Sequence, residues 1–217
     1  MAQASDDDWW SSINAALAVG QQVGQSSDQF NLACEHIASL LRDASTLLAE
    51  GSHATAAFLA ITALEEAAKV HLGMYRRATE PAPRRKDPLY RHDEKHRLAL
   101  GPTVAMGSRL QHAIGAARMR ELMEQTHNGG FMALRDAALY VAQDGDTLHA
   151  PAQVVAPSTA RELLLLAIEA FDDGLVGYTD RTFALGEETD RIFARWADGP
   201  ALDEPPAGPS FEIAGRT

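Results

Sequence analysis

Cysteine is nearly absent. Cys34 is alone in 217 residues, so no disulfide can form within the chain, and a reducing cytoplasm is its natural compartment. It falls inside a helical pattern, where a lone thiol serves as a small hydrophobe. No stretch reaches the roughly 18 apolar residues of a membrane span. Residues 1–8 are acidic where a secretory signal would be basic and then apolar, so neither anchoring nor export is expected. Positive charge is also in deficit: 19 Lys or Arg stand against 30 Asp or Glu, a formal net charge of -11. This argues against broad electrostatic binding to nucleic acid, and any RNA contact has to be local. Aromatics amount to 6% and offer no ladder on which successive bases could stack. Runs of β-branched residues are few, and there is no internal repeat.

What remains is helical. Hydrophobic residues make up 46% of the chain, enough for one sizeable core, and they recur at three- and four-residue spacing almost throughout. The expected class is all-α, a helical bundle with at most one short β hairpin. Residues 1–27 form an acidic segment with room for a short amphipathic helix over 9–19. The folded domain is expected over 28–197. Its helices are expected over 28–49, ended by Gly51, over 52–77, over 92–98, over 104–127, ended by Gly129-Gly130, and from a Thr159-x-x-Glu162 capping box to Trp196. Gly174, Gly177 and Gly186 should kink or divide the last of these. Residues 78–88, with Pro81, Pro83 and Pro88, break helix, while Leu139-Tyr140-Val141 before Asp144-Gly145 suggests the hairpin. From residue 198 on, four prolines among small and charged residues make a tail too poor in apolar surface to order itself. Trp9, Trp10 and Trp196 lie near the ends of the expected fold and should seal its core.

Two stretches carry candidate chemistry. At 100° per residue, Ala57, Ile61, Leu64, Ala68, Leu72 and Tyr75 share one arc of the 52–77 helix. Ala56, Ala63, Ala67, Val70 and Met74 give a second, mostly small face, leaving Thr62, Glu65, Glu66 and Lys69 as a polar strip. Glu65 and Lys69, four apart, could be a surface ion pair. Alternatively Glu65, at the edge of the core stripe, could lie under a cleft and orient a base or a guanidinium.

The second stretch, residues 76–97, holds eight Lys or Arg against four Asp or Glu, a net +4 within an acidic protein. His92 and His96 sit among them. Arginine and lysine hold phosphate, and histidine can exchange a proton with a ribose 2′-hydroxyl or a leaving 5′-oxygen. Arg91 with His96 reads R-x4-H, and Arg85 with His92 reads R-x6-H. On one straight helix Arg91 and His96 point about 140° apart, so they converge only if Arg91 lies in the first turn or loop, or if two chains share a site. His92 and His96 also read H-x3-H, the helical spacing of two zinc ligands. However, Asp93 stands where a zinc-protease helix needs glutamate, and no third ligand is apparent.

The arrangement as a whole resembles the AbiV-type abortive-infection branch of the HEPN superfamily. The resemblance spans about residues 28–156. It is carried by Leu47-Leu48 and Gly51, by A-L-E-E-x-x-K from Ala63 to Lys69, by His92-x-x-Lys95, by Arg135 with Leu139-Tyr140-Val141, and by Pro151. The chain departs from that pattern at Ala68, where glycine is common, and at Ala142, where aspartate usually follows. The resemblance implies a HEPN-like antiparallel helical bundle, a homodimer, and a role in anti-phage defence or as a growth-halting toxin. Members with R-x4-6-H are typically metal-independent endoribonucleases that leave a 2′,3′-cyclic phosphate, and members without it bind or regulate. The expected assignment is therefore His92 or His96 on the 2′-hydroxyl, Arg91 on the phosphate, Lys95 neutralising charge and Glu65 orienting a partner. Arg85, Lys69, Glu66 and Arg135 are candidates for binding substrate. RNA is the expected ligand, with no metal or cofactor, and an antitoxin or phage protein is a further candidate partner. The alternative is a non-catalytic helical adaptor that binds a phage protein, an antitoxin or a nucleotide. It would bury or pair His92 and His96, whereas a nuclease needs at least one of them at an open basic cleft.

Overall fold

A computed structural model describes residues 26–75, 92, 95–97, 99, 107–144 and 146–198. The expected N-terminal helix, Trp9 and Trp10, the proline-rich loop and the C-terminal tail lie outside the described residues. Helix α1 (Ser27–Ala49) starts at Ser26, whose side chain accepts from Gln29 N at 3.3 Å. Asp28 in the first turn suits the positive end of the helix. Gly51 ends it with φ 77°, a conformation that costs a residue without Cβ little. Ser52 N bonds Leu47 O at 2.8 Å and Gly51 N bonds Leu48 O at 3.2 Å, satisfying the last carbonyls.

Helix α2 (His53–Tyr75) is the centre of the bundle, packed most extensively on α1 and on α7 (Pro157–Leu175). Of the two expected apolar faces, Ala57, Ile61, Leu64, Ala68 and Leu72 on one and Ala56, Ala63, Ala67 and Val70 on the other are buried, and Met74 is half-buried. Alanines let the neighbouring backbones approach closely, and each fully buried Leu or Ile contributes about 1.5–3 kcal/mol. Because α2 is covered on nearly every side, its polar strip is divided. Glu65 is driven inward, and Lys69 turns to Glu66, bonding it at 2.8 Å in place of the i to i+4 partner Glu65.

The helix expected over 104–127 is two helices, α3 (Ser108–Ile114) and α4 (Ala116–His127), separated at Gly115 with φ 85°. The periodicity hides the break because the apolar spacing continues through it. Helix α5 (Gly130–Leu139) follows, then an antiparallel hairpin of β1 (Ala142–Asp144) and β2 (Thr147–His149), paired Gln143 to Leu148. Leu139 thus ends a helix, and the hairpin lies further along than its apolar triplet suggested. After α6 (Pro151–Val154), α7 starts at Pro157 with its fixed φ, so the expected capping box is not formed; Glu162 instead accepts from Arg118 Nε at 2.7 Å. Gly177 separates α7 from α8 (Asp180–Ala197), whose N-cap is Thr179. Gly174 and Gly186 lie within helices. Gly186 lets α8 meet Val176, whose Cγ1 would be 2.6 Å from an added Cβ. Trp196 closes the core with its Nε1 donating to Ser45 Oγ at 2.8 Å. Among the described residues no helix is long and apolar enough to cross a membrane.

Candidate active site around Glu65

The site is built on one carboxylate. Glu65 is 4% exposed, and burying an unpaired carboxylate would be prohibitively costly. Residues 92, 95, 96, 97 and 99 are helical, and the i, i+3, i+4 spacing of His92, Lys95 and His96 puts all three side chains on one face. They meet Glu65. His92 Nδ1 lies 2.6 Å from Oε2, His96 Nε2 lies 2.9 Å from Oε1, and Lys95 Nζ lies 3.6 Å from Oε2. Burial pushes the Glu65 carboxyl up, but the hydrogen bond and charge of His96, the Lys95 charge and the His92 hydrogen bond outweigh it and hold the group down at about 2.

An ionised carboxylate only accepts hydrogen bonds, which fixes both tautomers. In the neutral rings, His92 then donates from Nδ1 and keeps its lone pair on Nε2, and His96 donates from Nε2. The two rings differ in access. The His92 side chain is 39% exposed, whereas His96 is 1% exposed, with Phe131 edge-on at 5.6 Å between centroids. Both rings are paired with Glu65, as the adaptor expectation has it, while the exposure of His92 leaves one histidine accessible, which the nuclease expectation requires.

Helix α5 supplies the remaining side. Phe131 and Arg135, four residues apart, face α2 together. Arg135 Nε lies 3.8 Å from Glu65 Oε1, too far for a hydrogen bond, and this buried nitrogen has no hydrogen-bond partner among the described residues. The guanidinium sits over the Phe58 ring at 5.5 Å, and its Nη1 reaches Asp136 Oδ1 only at 4.0 Å. Glu65 thus faces Lys95 and Arg135 as well as the two imidazoles.

The structure therefore brings together five of the expected site residues: Glu65, His92, Lys95, His96 and Arg135. Lys69 and Glu66 pair with each other, and Arg85 and Arg91 lie outside the described residues. The H-x3-H spacing puts two imidazoles on a carboxylate, and among the described residues no group of three or more His, Cys, Asp or Glu is placed to hold a metal ion. The sequence reasoning overlooked the two phenylalanines. Phe58 was legible, because seven residues before Glu65 is nearly the same helix face; Phe131 is brought in by the tertiary fold. It also overlooked Arg109, which ties α3 to Glu169 and Asp172 of α7 and Asp190 of α8 and lies over Phe193 at 4.3 Å. The acids hold Arg109 above its ordinary range, while burial pushes Asp172 up to about 7 against the pull of that guanidinium.

The fold and the site define an all-α bundle whose central helix offers a buried glutamate to a histidine pair on the segment that follows it. Residues 25–170 match the AbiV family, HEPN_AbiV. The chain belongs to that abortive-infection family and has its HEPN-like fold. No curated protein and no solved structure matches it.

Proposed function

We propose that the protein is a metal-independent endoribonuclease of anti-phage abortive infection, with His92 as its general base. The observation that carries this is the 2.6 Å contact of Glu65 with Nδ1 of the more exposed histidine. A carboxylate on one ring nitrogen sets the tautomer, aims the other nitrogen and stabilises the imidazolium that forms. His92 Nε2 takes the proton of a ribose 2′-hydroxyl as its oxygen bonds phosphorus. The bond from phosphorus to the 5′-oxygen breaks, and that oxygen takes up a proton from water. The products are a 2′,3′-cyclic phosphate and a 5′-hydroxyl. Arg135, whose side chain is one-quarter exposed, binds the phosphodiester through the outer nitrogens of its guanidinium, and Arg85 or Arg91 adds a second guanidinium. Lys95, buried against Glu65, acts through that carboxylate, and His96 fixes its far oxygen. Two copies side by side would pool their basic 76–97 segments into a groove despite the acidic total.

Incubation of wild type, His92→Ala and His96→Ala with total bacterial RNA in EDTA, with end-group analysis, tests this. Cyclic-phosphate ends should form with wild type and fall on the order of 100- to 10,000-fold in His92→Ala. The folded fraction of His96→Ala should still cleave. Full activity in His92→Ala would overturn the assignment. A second reading, a non-catalytic adaptor for a phage protein or antitoxin, is favoured by the sealing of His96. It predicts intact RNA throughout.

A further inference from the structure

A cavity of about 500 Å3 opens on the other side of Arg135, between α4, α5, the link to the hairpin, α6 and α7. Its size falls within the range of small-molecule sites. Leu134, Val141 and Val154 give it apolar walls, and Gln125, Asp136 and Tyr140 supply polar groups and a ring at its rim. Tyr140 is 62% exposed. The cavity is not a phosphate site. Its one guanidinium, Arg118, is already bonded to Glu162 at 2.7 Å and Glu121 at 2.9 Å, and Asp136 adds negative charge.

The Arg135 guanidinium lies between this cavity and the Glu65 cluster. Arg135 places Nε beside Glu65 and Nη1 4.0 Å from Asp136, a lining residue. A phosphodiester held at Arg135 therefore has a largely apolar cavity with polar groups one side chain away, a surrounding that an unstacked base can take.

We propose that this cavity holds the base next to the scissile phosphate and selects guanine through Asp136. This rests on reading the cluster as an RNA-cleaving site. Guanine presents two adjacent donors, N1–H and the exocyclic amine, which a carboxylate accepts together, and Gln125 donates to its acceptor edge. Adenine turns an unprotonated ring nitrogen toward the same carboxylate, and uracil and cytosine offer one donor each. Tyr140 stacks on the base face.

The test uses uncleavable 2′-O-methyl decamers of oligo-adenosine, with or without a single guanosine, titrated by fluorescence anisotropy into the full chain. Wild type should bind the guanosine decamer about tenfold tighter, the scale of a good two-bond base contact. Asp136→Asn should remove that preference, and His92→Ala should keep it. Equal binding of the two decamers by wild type, or an undiminished preference in Asp136→Asn, overturns the proposal. Cleavage mapped on ordinary RNA reports separately on the nuclease: cuts without flanking guanosine count against this inference alone, and intact RNA counts against the nuclease.

Discussion

At the residue scale, Glu65 links stability to pH. Its folded value, about 2, lies below the ordinary 4.5, so its contribution is fully present above about pH 4.5 and lost as pH falls toward 2. A shift of that size corresponds to about 3 kcal/mol. Urea titrations of wild type should show this acid loss, and Glu65→Gln should flatten it while weakening the protein at neutral pH. An unchanged acid limb in Glu65→Gln would mean that other carboxylates carry it. Glu65→Ala should cost more, about 3–5 kcal/mol, because Lys95 and Arg135 lose the one carboxylate they share. The same residue shows how far a single sequence reaches. The A-L-E-E-x-x-K pattern drew attention to Glu65, but its partners lie 27 to 70 residues away, and no local spacing gives such a distance.

At the element scale, the long helices were legible because tertiary packing and local signals agree in them. The apolar arcs of α2 and the glycine stop of α1 both point to the observed helices. Breaks were less legible. Gly115 interrupts an unbroken apolar rhythm, and Pro157 with its preset φ starts α7 ahead of a plausible Thr159 box. Gly186 looked like a helix breaker and is instead a contact point, since an added Cβ would meet Val176. Gly186→Ala should therefore destabilise by about 1–3 kcal/mol in thermal melts, and Val176→Ala in the same chain should recover part of the loss. Equal melting of Gly186→Ala and wild type would show that α8 does not depend on this approach. The three side chains from residues 92–96 reach Glu65 because a short helix repeats them at i, i+3 and i+4. That spacing was visible in the sequence, and the expectation that Glu65 orients a histidine came from the family resemblance rather than from any spacing between the two segments.

At the scale of the whole molecule, two of the charge clusters among the described residues each join three segments of the bundle. The Glu65 cluster joins α2, α5 and the 92–99 segment, and Arg109 joins α3, α7 and α8. Arg109→Met should cost about 2–3 kcal/mol, less than a fully buried pair because the guanidinium is one-third exposed. The cost should shrink below about pH 7, where Asp172 gains its proton. A loss independent of pH would assign the role of Arg109 to its packing on Phe193. The two clusters differ in kind. Arg109 is surrounded by acids, whereas Glu65 is surrounded by cationic partners and leaves one histidine open. The most direct test is nitrogen-15 spectroscopy of the imidazole rings of the intact protein in alkaline buffer. The account predicts that His92 carries its proton on Nδ1 and His96 on Nε2, and that Glu65→Gln releases this opposition. A His92 ring protonated on Nε2 in wild type would contradict it, because the nitrogen that must accept the 2′-hydroxyl proton would already hold one.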